Sequence, residues 1–176
     1  MANIITFEGV KPFVHEQSFL AVSADLIGSV FIGEGVSIWN NTTLRGDIND
    51  IRIGKLSNIQ DGSTLHVDRR KPESPGLGST LIGERVTVGH GVILHACTVD
   101  DCCLIGMGSI VLDGAVIGKG SIVGAGAVVT PGTIVPPFSM VLGTPGRVVK
   151  TLDELTLEDR IAHAERYWEL AQKFKV

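Results

Sequence analysis

An aliphatic residue returns at every sixth position through much of the second half of the chain. The positions are Ile105, Val111, Ile117, Val123, Val129, Val135 and Val141. A small residue follows four positions after each of the first six: Ser109, Ala115, Ser121, Ala127, Thr133 and Ser139. A β-sandwich also has many short strands, but its strands alternate at period two and are irregularly spaced. The six-residue period instead predicts a triangular parallel β-solenoid, with roughly 18 residues per coil.

The same period runs through the first half of the chain with two interruptions. It is carried first by Leu20, Leu26, Ile32, Ile38 and Leu44. After Leu44 the period slips by three residues, which predicts a small bulge within residues 45–50. Between Leu65 and Leu94 there is more chain than one coil needs, and the excess is the segment 68–78, which contains prolines, glycines and charges. We expect this segment to leave the body as an exposed loop.

The pattern divides the chain into three parts. Residues 1–19 are a lead-in that is expected to cover the open end of the prism, because a solenoid end exposes unpaired backbone groups. Residues 20–150 are predicted to be the β-helix. From Thr156 the apolar spacing becomes helical, and Thr156 with Asp159 resembles an N-cap and capping box. Residues 151–176 are therefore predicted to be a C-terminal helix packed on the solenoid or on a neighbouring chain.

Composition restricts the class of protein. The chain is 44% hydrophobic and 5% aromatic, which allows one domain with an aliphatic core. A net charge of -4 and a pI near 5.7 argue against a polyanionic partner, so we expect no binding of nucleic acid. No N-terminal signal pattern and no stretch of membrane-spanning length is present, so we expect no signal peptide and no membrane association.

Three cysteines lie within seven residues: Cys97, Cys102 and Cys103. An odd, clustered number suits a reducing compartment better than a disulfide framework, so we expect a cytoplasmic location. Their spacing matches no common thiolate metal site, and we interpret them as structural.

Two histidines occupy equivalent positions on successive coils. His66 directly follows Leu65 and His95 directly follows Leu94, and Arg45 holds the same position one coil earlier. Adjacent coils are about 4.8 Å apart. Two imidazole nitrogens on one tetrahedral zinc ion are roughly 3.4 Å apart. Side chains stacked one coil apart can converge to that distance, so His66 and His95 are candidate metal ligands.

His90 lies on the preceding face of the triangle, and the six-residue period puts Asp61 at the same position one coil earlier. About 16 Å of extended chain separates His90 from His95, so one metal could hardly bind both within one chain. A neighbouring chain supplies such a third ligand more easily, and a trimer with three shared sites is the simplest closed arrangement. The alternative is three ordinary surface histidines, which the stacking of two of them disfavours. His15 and His163 have no such partners and are interpreted as ordinary surface residues.

Four motifs carry a family resemblance: RGD at 45–47, NIQDGSTLHV at 58–67, GHGVILHACTV at 89–99 and IGMGSIVLDGAVI at 105–117. Over about residues 8–150 the chain resembles the γ-class carbonic anhydrase family, including its smaller bacterial members of the phenylacetate-degradation, carnitine-operon and ferripyochelin-binding type. The resemblance implies a left-handed β-helix, a homotrimer and three metal sites at the subunit interfaces. It also implies that one subunit supplies His66 and His95 and the next supplies His90.

The resemblance further implies roles for polar residues near these histidines. Gln60 resembles the residue that hydrogen-bonds the metal-bound water. Arg45, Asp47 and Asp61 resemble the interface network, in which the arginine also lies near substrate or bicarbonate. An intersubunit salt bridge is an equally good interpretation of Arg45 and Asp47.

The implied reaction is the reversible hydration of CO2 to bicarbonate by a metal-bound hydroxide. Three imidazoles make Zn2+ the default metal, although Fe2+ and Co2+ accept the same ligands.

The sequence departs from the family prototype in the groups for proton transfer. The prototype has a glutamate just after the RGD aspartate and another on a long acidic loop, whereas this chain has Ile48 and, in its loop, Glu73 alone. Either Glu73 or Tyr167 on the terminal helix moves the proton, or transfer is slow. Two other classes stay open. One is a CoA-thioester hydrolase or acyltransferase on the same solenoid, and the other is a non-catalytic trimer with a structural metal.

Overall fold

Short parallel strands stack one coil above another to form the body of the molecule. The computed structural model describes residues 2–70 and 77–174. These residues form a parallel β-solenoid of about seven turns followed by one helix. The predicted all-β solenoid of hexapeptide repeats with a C-terminal helix is therefore confirmed.

The strands form three faces, which we call faces A, B and C in the order in which each coil visits them. Face A contains β1 (Asn3–Ile5), the first parts of β4 (Asp25–Ile32) and β6 (Thr43–Ile53), β8 (Thr64–His66), β11 (Ile93–His95), β14 (Ile110–Val111) and β17 (Val128–Val129). Face B contains β2 (Phe13–Val14), the second parts of β4 and β6, β9 (Thr80–Ile82), β12 (Thr98–Val99), β15 (Val116–Ile117) and β18 (Ile134–Val135).

Face C contains β3 (Phe19–Leu20), β5 (Ser37–Ile38), β7 (Asn58–Ile59), β10 (Thr87–Val88), β13 (Leu104–Ile105), β16 (Ile122–Val123) and β19 (Ser139–Leu142). A last strand, β20 (Arg147–Thr151), pairs antiparallel with β19. A 3-10 turn (Glu154–Thr156) then leads into α1 (Leu157–Gln172).

The aliphatic residues of the six-residue period fill the interior of the prism. All seven of them from Ile105 to Val141 are at most 2% exposed. The aliphatic residues of successive coils stack in register. Leu65 of β8, for example, lies between Leu44 of β6 and Leu94 of β11. Glycine is required where the corners of neighbouring coils approach: a Cβ on Gly106 would lie 2.5 Å from the backbone nitrogen of Ala125.

Both predicted interruptions of the period are present. Gly28 of β4 pairs with Gly46 of β6, but the next pair is Val30 with Ile51, so β6 contains three extra residues at this corner. At the second interruption the backbone N–H of Asp68 donates to the carbonyl of Gly78 over 2.8 Å, which closes the base of the predicted loop. Residues 71–76 of that loop, including Glu73, lie outside the described residues.

The lead-in adds one strand to each face at the N-terminal end. β1 and β2 pair with β4, and β3 pairs with β5, all in parallel. Ala2, Val14 and Leu20 pack against the end of the aliphatic core. The lead-in therefore adds a further coil at the N-terminal end of the prism.

The terminal helix lies against face C of its own chain. Trp39 packs edge-on against the ring of Tyr167, with 5.8 Å between ring centroids, and Arg85 pairs with Glu165 over 3.2 Å. Within the described residues, no helix is both long enough and apolar enough to cross a membrane.

The predicted start of the helix is right, but the predicted capping box is wrong. Thr156 is the N-cap residue, yet its hydroxyl donates to the carbonyl of Asp153 and makes no cap hydrogen bond. The preceding 3-10 turn holds Thr156 in a helical backbone conformation instead of the extended one that a capping side chain needs. The Asp153 carboxylate caps that turn instead, accepting from the N–H of Leu155.

Candidate functional site

His66 and His95 converge on the outer surface of face A. Each directly follows an inward-facing leucine, and the two residues pair in register across β8 and β11. The Nδ1 atom of His66 lies 3.1 Å from the Nε2 atom of His95. Two nitrogens that bind one tetrahedral zinc ion are separated by roughly 3.4 Å. The pair thus has nearly the spacing that a shared metal ion requires.

A carboxylate holds the other ring nitrogen of each histidine. The Nε2 atom of His66 lies 2.9 Å from Asp47 Oδ1, and the Nδ1 atom of His95 lies 3.0 Å from Asp113 Oδ1. A carboxylate in this position fixes the orientation and the tautomer of a metal-binding histidine. The two nitrogens that face each other are therefore the ones left free to bind a metal.

The bulge in β6 brings Asp47 to this cluster. Asp47 is one of the extra residues that follow Gly46, and its carboxylate also pairs with Nη1 of Arg45, which is stacked one coil before His66. Burial alone would raise the pKa of Asp47, but hydrogen bonds from His66 and Arg45 outweigh it and hold the pKa below its ordinary value. Asp47 is consequently ionised at neutral pH. We call Arg45, Asp47, His66, His95 and Asp113 the face-A half-site.

His90 lies at the corner between faces C and A. Gly91 follows it with a φ of +65°, a left-handed conformation that lets the chain turn there without strain. The Nδ1 atom of His90 lies 3.1 Å from Asp61 Oδ2, and Asp61 also accepts from the Asn40 side chain over 3.2 Å. As the six-residue spacing predicted, Asp61 occupies the position of His90 one coil earlier. The Nε2 atom of His90 is left free, and the side chain is 48% exposed.

The two groups of histidines do not form one metal site within one chain. Among residues 2–70 and 77–174, no three His, Cys, Asp or Glu side chains are placed to hold a metal ion together. The donor set of His66 and His95 fits a divalent metal in chemistry and spacing but supplies only two ligands. A three-histidine site on this fold needs its third ligand from a second chain.

Gln60 lies beside His90 at the inner end of a buried polar row. Its Nε2 atom donates to Asn58 Oδ1 over 3.1 Å, and Asn58 Nδ2 donates to Thr87 Oγ1 over 3.0 Å. Thr87 Oγ1 in turn lies 3.2 Å from His163 Nδ1 on α1. A cavity of about 480 Å³ between α1 and face C is lined by Gln60, His90 and His163, among others.

The interpretation of His163 as an ordinary surface residue is wrong. Its ring is partly buried against face C, hydrogen-bonds Thr87 and packs 5.4 Å from the ring of Tyr167. The repeat pattern could not reveal this contact, because the position of a helix docked on the solenoid does not follow the six-residue period.

Tyr167 lies in the same cavity as Gln60 and His90. Burial raises the pKa of the Tyr167 phenol, and the negative charge of Asp61 raises it further. The phenol is therefore protonated at neutral pH and available as a hydrogen-bond donor. We call Gln60, Asp61, His90, His163 and Tyr167 the corner half-site.

Asp113 is the site residue that the sequence reasoning missed. It lies 18 residues after His95, one residue more than the 17-residue spacing that pairs Leu94 with Val111. The N–H of Gly114 donates to the carbonyl of Ala96 one coil earlier. A carboxylate one coil from a candidate ligand was the available signal. The shortened corner near Val99 obscured it, because the aliphatic residues Leu94 and Val111 are only 17 residues apart in register.

The three cysteines are buried and not joined in a disulfide. Burial raises the pKa of Cys97 and of Cys103 to about 12. A thiol that stays protonated is a poor metal ligand and a poor nucleophile. The structure thus agrees with a structural role for these residues.

Comparison with known proteins gives three informative similarities. The family described as bacterial transferase hexapeptide (six repeats) matches residues 96–131. A probable carbonic anhydrase of Methanocaldococcus jannaschii is 46% identical over 153 residues, which cover 87% of this chain and 92% of that protein. A solved hexapeptide transferase family protein from Anaplasma phagocytophilum has a TM-score of 0.90 and 38% identity, with 98% of each chain covered.

A plant relative is matched over only part of its length. Gamma carbonic anhydrase 1, mitochondrial, of Arabidopsis thaliana is 47% identical over 102 residues, or 58% of this chain. The match spans 37% of the length of that relative. Of the relatives compared, two are named carbonic anhydrases and one a transferase.

Proposed function

The chain belongs to the γ-class carbonic anhydrase-like family of hexapeptide-repeat proteins, and from this premise we propose that it catalyses the reversible hydration of CO2 to bicarbonate. The observation that carries the proposal is the pair of imidazoles 3.1 Å apart, each with its other nitrogen held by a carboxylate. That arrangement leaves one nitrogen of each ring free to bind a metal and holds both rings in place.

His66 and His95 of one chain and His90 of the next would hold the metal, so the active form is a homotrimer with three shared sites. Exposure of His90 at a corner supports this arrangement, because its free nitrogen is accessible to a neighbouring face A. Zn2+ is the default for three imidazoles, and Fe2+ or Co2+ accept the same ligands. The bound metal supplies Lewis-acid chemistry that makes water a nucleophile near neutral pH.

The chain's own polar groups would orient the reactants. Gln60 accepts a hydrogen bond from the reacting water through its free carboxamide oxygen. Arg45 is 45% exposed beside the histidine pair and provides a cation for bicarbonate. The apolar side chains that line the cavity, which include Leu104 and Ile122, admit uncharged CO2. Asp47, Asp61 and Asp113 hold the three imidazoles in the orientation that binds metal.

In this proposal the proton leaves through Tyr167 as a relay, in which the phenol oxygen accepts the incoming proton while the phenol passes its own proton to buffer. Its phenol lines the cavity with His90, while Ile48 beside Asp47 has no proton to move. A cytoplasmic location completes the proposal and is supported by three free, buried cysteines.

Acyl transfer or hydrolysis of CoA thioesters is the second candidate. It is favoured by the match of residues 96–131 to the transferase hexapeptide family and by the name of the Anaplasma structure. A trimer with a purely structural metal is the third, and an open coordination position argues against it.

The shared site can be tested by complementation between two inactive variants. Chains carrying His66→Ala and His90→Ala are given different tags and co-expressed, and trimers bearing both tags are purified. Every such trimer contains one intact site if ligands come from neighbouring chains, so about one third of the wild-type metal content and activity should return. The control combines His66→Ala with His95→Ala, which lie in the same half-site and should restore nothing.

Activity is measured by stopped-flow CO2 hydration on wild-type protein loaded separately with zinc, cobalt and anaerobic iron. Turnover that His90→Ala lacks supports the proposal. Doubly tagged trimers without metal would contradict the shared site. Metal binding without CO2 hydration in any form would refute the proposed reaction, and hydrolysis of acetyl-CoA would then be assayed on the same samples.

A further inference from the structure

Three hydrogen bonds in a row connect the terminal helix to Gln60. They join Gln60 to Asn58, Asn58 to Thr87 and Thr87 to His163, over 3.1, 3.0 and 3.2 Å. Asn58 is 0% exposed, and Gln60 and Thr87 are each 3% exposed. Water therefore does not compete for these polar atoms, and each bond constrains the next.

The direction in which these hydrogen bonds donate is set by His163, at the helix end of the row. Thr87 has one hydroxyl proton and already accepts from Asn58 Nδ2, so that proton is free to go to His163 Nδ1. His163 can accept it only as a neutral ring with its own proton on Nε2. Burial lowers the pKa of His163, and the positive charge of Arg166 lowers it further, so the ring is neutral at physiological pH.

A fixed direction also fixes the orientation of the Gln60 carboxamide. All three bonds donate toward His163, so the NH2 group of Gln60 is turned to Asn58 and its oxygen is turned away. If the row were reversed, Asn58 would present its NH2 group to the Gln60 oxygen, and Gln60 would present donors to the reaction centre. A carboxamide oxygen can accept a hydrogen bond from water, whereas an NH2 group can only donate one.

We propose that His163 is a positioning residue that acts through Thr87 and Asn58 to keep the Gln60 oxygen facing the reaction centre. This inference rests on the function proposed for Gln60. It makes full activity depend on the docking of α1, although the helix supplies no metal ligand.

Matched variants separate positioning from mere packing. Thr87→Val removes the hydroxyl at nearly the same shape, and Thr87→Ser keeps it. His163→Leu removes the acceptor, whereas His163→Asn keeps one, because the Asn carboxamide oxygen falls near the position of Nδ1. We expect Thr87→Val and His163→Leu to lower kcat by about tenfold, the loss of one buried hydrogen bond. Thr87→Ser and His163→Asn should stay within about twofold of wild type.

A spectroscopic measurement tests the row without reference to activity. In protein labelled with 15N-histidine and 15N-glutamine, His163 should be neutral with its proton on Nε2. The Gln60 NH2 signals should exchange slowly in wild type and faster in Thr87→Val and His163→Leu. A proton on Nδ1, or equal behaviour of Thr87→Val and Thr87→Ser, would overturn the inference. If wild type hydrates no CO2 while the spectra are as expected, the proposed function has failed and the directed row has not.

Discussion

The two half-sites are built by different means. The face-A half-site consists of outward residues on neighbouring coils, so the strand spacing alone brings His66 and His95 together. The corner half-site depends on α1, which contributes His163 and Tyr167 and closes the cavity over Gln60. Chemistry on a solenoid face is thus encoded in the repeat, whereas chemistry under the helix is encoded in a docking contact.

The half-sites also differ in how complete they are within one chain. The His66 side chain is 17% exposed and is already in contact with Asp47 and His95, whereas the His90 side chain is 48% exposed. This difference is the one expected if a ligand pair is prepared on one chain and the third ligand is presented to a neighbour. Three predictions test the comparison.

The largest effect is expected from removing the aromatic contact that holds α1 on face C. Trp39 is 5% exposed and packs against Phe19, Tyr167 and Phe174, with centroid distances of 5.3, 5.8 and 5.4 Å. Trp39→Ala should lower the free energy of unfolding by about 3–5 kcal/mol. It should also disorder the corner half-site while leaving the His66–His95 pair in place. Denaturant unfolding at fixed protomer concentration measures the first effect.

The control for Trp39→Ala is Phe31→Ala on face B. Phe31 is stacked on Phe13 but is 41% exposed, so its removal should cost much less. Equal losses in the two variants would mean that the aromatic cluster does not hold the helix.

An intermediate effect is expected from the carboxylates that hold the histidines. Asp113→Asn on face A and Asp61→Asn at the corner should each lower metal affinity by about 10- to 100-fold, with little change in stability. Asp100→Asn, an exposed carboxylate near neither half-site, should have no effect. Competition with a chelator measures the affinity. An effect of Asp113→Asn alone would mean that the corner half-site does not bind the metal.

The smallest effect is expected from Tyr167→Phe. If Tyr167 passes the proton, kcat in dilute buffer should fall roughly tenfold, which is less than the loss expected for an essential general acid. Concentrated imidazole buffer should restore kcat, because imidazole can take the proton in place of Tyr167. A similar fall in Glu73→Gln, with none in Tyr167→Phe, would assign proton transfer to the loop instead.

The raised pKa of Tyr167 makes a second readout possible. Because the folded pKa lies above the unfolded value near 10.0, the phenol stabilises the fold fully below that pH. The contribution is lost as pH rises through the folded pKa. Wild type should therefore lose stability above pH 10 more steeply than Tyr167→Phe, as measured by denaturant midpoints across that range.

Much of the face-A half-site could be predicted before the structure was seen. The six-residue period placed His66 over His95, and the three-residue slip after Leu44 marked the bulge that brings Asp47 to His66. Asp113 was missed, although its spacing of 18 residues from His95 was readable. At the corner, Asp61 and His90 were placed correctly against each other by the same period.

The sequence by itself determined the prism, the two interruptions and the stacking of residues on successive coils, because a repeat converts distance along the chain directly into position in space. Only the tertiary structure decided that α1 lies on its own face C, that His163 reaches Thr87, and that Thr156 does not cap with its side chain. Those outcomes depend on how an apolar helix face fits a particular surface. That fit depends on the shapes of the two packed surfaces, and it leaves no periodic pattern in the sequence.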